Sequence, residues 1–275
     1  MDYYDELLSA CKEAGRTEFI GRTVLGCEIP IIRKGKGKAH TLLVGATHAR
    51  EYITADLLIG MAKAADFDVD IVPCLNIDGV RLCKYGPEAI DDENLRSFLI
   101  RVNKSKDFSL WKANARAVDV NVNFAAEWAT GKSNVFSPAP SDYVGRYPES
   151  EPETFAAAEL VRKGAYAQLI SFHSKGEVVY HGFGNNYRYK EEAARYAESL
   201  DYILTTAEGS AGGLKDYFDV ASGGLGLTTE VGSDALTHPI GIEELDNLMK
   251  KHLKSLEIID ENGRKIARSL YGSGD

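Results

Sequence analysis

Four short apolar runs constrain this chain most: Thr41 to Val44, Val69 to Leu75, Ala167 to Phe172 and Leu225 to Thr229. Runs of this length without polar alternation read as strands buried on both faces, the pattern of a parallel sheet covered by helices. Between the first two, Tyr52, Ile53, Leu57, Leu58 and Met61 recur at helical spacing, so strand, helix and strand make a parallel crossover unit. Helical patterns also mark residues 1–16, Leu95 to Val102, the segment opened by Pro152, Lys190 to Leu200, and 242–270. Thr17 to Leu25 and Glu28 to Arg33 read as a hairpin, Ala117 to Asn121 as a short strand, Asn76 to Val80 as a turn, Glu177 to Tyr180 as a short returning strand, and Gly209 to Gly224 as a glycine-rich loop. The expectation is an α/β fold in one domain, 1–275, with an N-terminal helix (1–16) and a long C-terminal helix (242–270).

Composition narrows the function. At 275 residues and 44% hydrophobic, the chain has material for one large core, and a net charge of -9 argues against a nucleic-acid partner, which needs a basic face. The one basic run, Arg33 to Lys38, is broken by Gly35 and Gly37 and reads as a solvated turn. The first residues are acidic, without the basic and apolar regions of a secretion signal, and no run reaches the roughly 18 apolar residues of a membrane span. A cytoplasmic protein with no membrane partner is expected. Cys11, Cys27, Cys74 and Cys83 form no C-x-x-C pair and read as reduced thiols. Nothing in the sequence sets the oligomeric state.

The chemistry gathers where the apolar runs stop. His48 follows the first run, with Glu51 three residues later at the start of a helix; His173 follows the third run, and Glu230 ends the fourth. In open α/β sheets the carboxyl ends of the strands line the ligand crevice, so His48, His173 and Glu230 at three such ends, with Glu51 in the first helical turn after His48, are more than core packing predicts, and His48 with Glu51 offers half of a zinc site. The other histidines, His40, His181, His238 and His252, read as structural; His181 alone lies near the site in sequence.

Six motifs in order, His48-x-x-Glu51, Pro73-x-Leu75-Asn76-x-Asp78-Gly79, Asp119-Val120-Asn121-Val122-Asn123-Phe124, Ser150-Glu151-Pro152-Glu153-Thr154, Ser171-Phe172-His173-Ser174 and Thr229-Glu230, resemble the zinc metallocarboxypeptidase family typified by pancreatic carboxypeptidase A. The resemblance implies a mixed, mostly parallel eight-stranded sheet with helices on both faces. It also implies one Zn²⁺ per chain held by His48, Glu51 and His173, with Asp119 accepting from the other ring nitrogen of His48. Glu230 would be general base and acid, taking a proton from the attacking water and passing it to the leaving amine. The family places an arginine after a tryptophan at the oxyanion; here Trp111 is followed by Lys112, with Arg116 four residues on. Either could serve there. Lys112 is preferred for that role, and Arg116, Asn121 and Lys215 are assigned to the substrate.

The departures bear on the substrate. Family carboxypeptidases carry Asn-Arg where this chain has Asn121-Val122, and valine cannot grip a terminal carboxylate as a guanidinium fork does. The segment Thr205 to Ser210 has no tyrosine at the family's lid position, and Lys215 falls where the family lines the pocket for the leaving side chain. Trp111-Lys112-Ala113-Asn114 and Gly212-Gly213-Leu214-Lys215-Asp216-Tyr217 resemble the bacterial branch that cuts between γ-D-glutamate and a diamino acid in peptidoglycan peptides. The resemblance therefore implies hydrolysis of an amide next to a carboxylate-bearing residue, in a small acidic peptide. The alternatives are an ordinary carboxypeptidase, an N-acyl amino acid deacylase, or a family member that binds peptide without cutting it.

Overall fold

The computed structural model describes residues 2–184 and 187–272. Its strands are β1 (Arg16–Arg22), β2 (Glu28–Lys34), β3 (Thr41–Val44), β4 (Val69–Val72), β5 (Gln168–Ser174), β6 (Val178–His181), β7 (Ile203–Thr205) and β8 (Leu225–Val231). They form one sheet in the order β1-β2-β4-β3-β5-β8-β6-β7. The central four strands are parallel; the β1–β2 hairpin joins β4 antiparallel, and β6 joins β8 antiparallel. Every residue of β3, β4 and β5 is buried, as their unbroken apolar runs require.

The helices are α1 (Tyr3–Ala14), α2 (Ile53–Ala64), α3 (Ile77–Tyr85), α4 (Glu93–Asn103), α5 (Pro152–Lys163), α6 (Lys190–Leu200), α7 (Leu214–Ser222), α8 (Leu245–His252) and α9 (Leu256–Tyr271). One layer groups α2 with α1 and α8 over β4 and β5; the other pairs α5 with α7 against β1 and β8. Among the described residues, no helix is long and apolar enough to cross a membrane. The strand order reverses at β3, whose successor β4 lies on one side and β5 on the other. That reversal opens a crevice at the carboxyl ends of β3 and β5, where His48 and His173 sit.

Local hydrogen bonding overrides four expectations from the pattern. Residues 242–270 are not one helix: a 3-10 turn at Leu253–Ser255 separates α8 from α9, and Ser255 Oγ donates to the His252 carbonyl at 2.8 Å, competing with the helical ladder. Residues 117–121 do not form a strand, because Asp119 Oδ1 accepts the Asn121 N–H at 3.0 Å and bends the chain into a 3-10 turn at Val120–Val122. Asn76 caps a helix rather than a turn, its Oδ1 accepting the Gly79 N–H at 3.1 Å. The glycine-rich stretch contains α7, started by Asp216 Oδ2 accepting the Gly213 N–H at 3.2 Å. Strand β7, three residues long, is too short for periodicity to reveal.

Candidate metal centre

His48 does not end β3; it lies four residues past it, on a loop held from several sides. Gly45 N–H donates to the Val72 carbonyl, Asn76 N–H to the Ala46 carbonyl, and Thr54 Oγ1 accepts the Ala46 N–H at 2.8 Å. Ala46 has φ of 43°, a left-handed conformation that costs an alanine on the order of 1 kcal/mol, so these bonds hold the turn that aims His48. Asn76 reaches further, its Nδ2 donating to the carbonyls of Thr47, Lys112 and Ala113 at 3.1 to 3.3 Å. One amide thus locks the histidine loop to the Lys112 loop. Gly79 completes the joint, since a Cβ there would stand 2.5 Å from the Ala113 carbonyl oxygen.

His173 and Glu230 are set by the sheet itself. They are direct partners across the parallel β5–β8 ladder, so their side chains leave the same face. Glu51 closes the group from a 3-10 turn (Ala49–Glu51) just before α2: its Oε1 is 3.0 Å from His48 Nδ1 and its Oε2 2.9 Å from His173 Nδ1, while the two Nδ1 atoms are 3.1 Å apart. All three residues are buried.

The outer nitrogens are already engaged. His48 Nε2 faces Asp119 Oδ1 at 3.2 Å, and His173 Nε2 faces Ser171 Oγ at 3.0 Å. Both Nδ1 atoms and the Glu51 carboxylate are left converging within 4.8 Å, the imidazole and carboxylate donor set that suits zinc with one position open. Among the described residues this is the one such group, and His181 is outside it.

The charges agree. Burial pulls the His48 imidazole down, but the Glu51 carboxylate, helped by Asp119, holds its pKa up at about 9. Burial would raise Glu51; His48 and His173 reverse this and hold it well below the carboxylate range. Asp119 is likewise depressed despite burial, by His48 and Lys112. Glu230 moves the other way: burial and the negative Glu51 push it up to about 8, with His48, Lys112 and Arg50 opposing. A cation held by the triad would oppose that rise as well.

Lys112 Nζ lies 3.5 Å from Asp119 Oδ2, bordering the centre. Arg116 points elsewhere: it is exposed, and its nearest charge is Glu151 at 3.8 Å. Asn121 Oδ1 accepts the Leu214 N–H at 3.2 Å at the wall of a cavity of about 470 Å³ that also includes Glu230, Lys215 and Tyr180. Lys215 is buried there, and its Nζ already lies 2.5 Å from Asp216 Oδ1 and donates to the Gly182 carbonyl at 2.8 Å.

Three further residues belong to this region. Arg50, inside the first motif, has its Nε buried without a partner, and its charge reaches Glu230, Lys112 and His238. Tyr180 enters through the pairing of β6 with β8, opposite Thr228, which no local pattern announces. His238, expected to be structural, has Nε2 2.9 Å from the Ser174 carbonyl and 3.2 Å from its hydroxyl, and the Ser174 N–H in turn meets Glu51 Oε2 at 3.3 Å.

Comparison with known proteins gives the same picture. The chain is 33% identical over 261 residues (85% of this chain, 64% of the relative) to a γ-D-glutamyl-L-diamino acid endopeptidase 1 of Lysinibacillus sphaericus. It is 30% identical over 190 residues (60% of this chain, 50% of the relative) to the uncharacterized protein YqgT of Bacillus subtilis. The chain thus spans less than two thirds of either curated relative. Solved structures with the same fold include bovine thrombin-activatable fibrinolysis inhibitor bound to a tick carboxypeptidase inhibitor (TM-score 0.78, 18% identity, 95% of this chain and 97% of that one). The murein-tripeptide amidase MpaA of Escherichia coli O157 is another (TM-score 0.61, 22% identity, 90% and 94%). The zinc carboxypeptidase model, Peptidase_M14, matches residues 1–225, through both histidines and Glu51 and up to the strand that carries Glu230, and the chain belongs to that family of zinc peptidases.

Proposed function

We propose that this protein hydrolyses the amide joining the γ-carboxyl of D-glutamate to a diamino acid in peptidoglycan peptides, with His48, Glu51 and His173 as the zinc ligands. Zinc held by these three residues would supply Lewis acidity to the scissile carbonyl and to the attacking water. Glu230 removes the water's proton and returns it to the leaving nitrogen. Lys112, held by Asp119, offsets the negative charge that develops on the carbonyl oxygen. Asp119 and Ser171 fix the ring orientations through the outer nitrogens.

The observation that carries the substrate reading is Val122 beside a cavity in which Lys215 is the one cation among the described lining residues. With valine at 122, a free peptide C-terminus lacks the guanidinium that the family places at that position. On the acyl side, a γ-linked glutamate keeps a free α-carboxylate at the far end of its side chain from the scissile carbonyl, and Arg50, whose Nε is buried without a partner, suits it. The activity in the Lysinibacillus relative's name agrees with this, and a cytoplasmic setting would suit turnover of wall-derived peptides.

The test is to incubate zinc-loaded protein with γ-D-glutamyl-diaminopimelate peptides and with ordinary α-linked peptides, and to identify products by mass spectrometry. Cleavage of the γ-linkage is expected. Intact γ-linked peptides alongside trimmed C-termini would replace this reading with an ordinary carboxypeptidase.

A further inference from the structure

The basic turn between β2 and β3 has no part in the metal centre, and the fold gives it a setting of its own. With His40 and Thr41 at the start of β3, Asp68 before β4 and one face of α9, it walls a cavity of about 700 Å³ at the amino ends of the parallel strands. Strand β5 runs from Gln168 at that end to His173, roughly 17 Å at 3.3 Å per residue, so the cavity and the metal centre lie at opposite ends of the sheet. Helix α9 meets the sheet closely at Gly263, where a Cβ would stand 2.4 Å from Thr41 Oγ1. Tyr271, on the same wall, is pinned by its hydroxyl, which donates to the Tyr166 carbonyl at 3.0 Å.

The acids of this wall are already satisfied and the cations are not. Asp260 is taken by Arg264 at 2.7 Å, and Asp68 Oδ1 accepts the Gly37 N–H at 2.8 Å. Lys38 and Arg268 meet no carboxylate among the described residues, and His40 Nδ1 is buried without a hydrogen-bond partner. A smaller cavity shares Gly37, Lys38 and Ala165 and adds Lys34 and Lys36, again with no acid against them, while its Glu18 and Asp70 are both held by Arg33. Four cations and one imidazole nitrogen therefore lack a partner here, in a chain whose net charge is -9. A buried nitrogen left without a hydrogen bond is costly, and a ligand that supplies one recovers that cost.

We infer that this cavity is a second binding site, which takes a small molecule by an oxyanion, phosphate or carboxylate. Lys38 and Arg268 meet its charge, Arg268 as a planar fork and Lys38 as a point charge, and His40 Nδ1 is its hydrogen-bond partner. The volume lies in the range of small-molecule sites and exceeds what one inorganic ion fills, so the oxyanion is one end of a larger ligand. Such a ligand would join the basic turn to α9 and leave the far end of the sheet free for hydrolysis.

The test titrates the zinc-loaded protein by calorimetry with inorganic phosphate, glycerol phosphate and succinate in about 150 mM chloride, where loose surface charge is screened. Binding of the two phosphates and not succinate assigns the phosphate class, and the reverse assigns the carboxylate class. Lys38→Met combined with Arg268→Met should weaken that binding at least about tenfold, since it removes two charge-assisted contacts, while zinc affinity and turnover stay unchanged. Both side chains are exposed, so this variant folds. His40→Phe, which keeps a ring and removes the nitrogen, should weaken binding about fivefold. No heat from any of the three probes, or heat that the double variant retains, would overturn the site; retained heat would place the anion at the metal centre instead. Unchanged affinity in His40→Phe would remove the imidazole from it.

Discussion

Glu51 and Glu153 are both buried glutamates in one fold, and their carboxyls are driven in opposite directions. Glu51 is compressed between His48 and His173 and stays ionised; Glu153 is held up at about 7 by burial, with Asp78 adding to the rise. Its hydrogen bonds come from neutral donors, the Val24 N–H and Asn114 Nδ2, both at 3.1 Å. Asp78 is treated alike, accepting from Thr23 Oγ1 and the Leu25 N–H. The two clusters differ in what meets the carboxylate: two imidazoles keep Glu51 charged, while neutral donors leave Glu153 to the effect of burial.

The sharpest way to break the comparison is to remove the proposed proton carrier and leave the proposed ligands alone. Glu230→Gln should lower kcat by about 10²- to 10⁴-fold, the usual share of a general acid–base group, while a zinc titration shows unchanged affinity. Unchanged turnover would leave only a peptide-binding role. Next comes the Glu153 cluster. Glu153 binds its proton more tightly folded than unfolded, so the stability it lends is present below about pH 4.5 and is lost as pH rises through about 7, on the order of 3 kcal/mol. Glu153→Gln mimics the protonated form; chemical denaturation between pH 4.5 and 8 should show that slope flattened, with stability at pH 8 equal or higher.

Smaller effects are expected around the metal. Asp119→Ala should weaken zinc binding by about 10- to 100-fold, read by competition with a chelating dye. The smallest signal is a proton count. His48 is held up at about 9 without metal, so zinc binding at pH 7.5 should release about one proton, measurable as the buffer dependence of the calorimetric heat. No buffer dependence would mean that His48 does not ligate.

What the sequence disclosed follows from how locally each feature is determined. His48, His173 and Glu230 follow or close apolar runs and Glu51 precedes a helical one, and such junctions are visible without knowing any pairing. Asp119 was placed by its motif, although its segment is a capped 3-10 turn and not a strand. Asn76 clamps two loops that are 29 and 36 residues away in sequence, Tyr180 depends on the register of β6 against β8, and Lys215 meets its partners only once α7 forms. The sequence predicts one long C-terminal helix because a hydrophobic stripe continues through Leu253–Ser255, where the Ser255 hydroxyl takes a backbone carbonyl.

The placement of His173 opposite Glu230 has a consequence for how this protein should lose activity on warming. Seven successive residue pairs join their strands at the centre of the sheet, so the two cannot separate until the last-melting part of the molecule opens. His48, Lys112 and Asp119 ride on loops outside the ladder, joined to it and to one another by scattered backbone and side-chain bonds, and local opening reaches them first. Amide exchange should therefore be fastest around residues 46–48 and 112–121 and slowest in β5 and β8. Heat would then uncouple His48 and Lys112 while Glu230 still faces His173, and activity lost in this way should return on cooling without refolding.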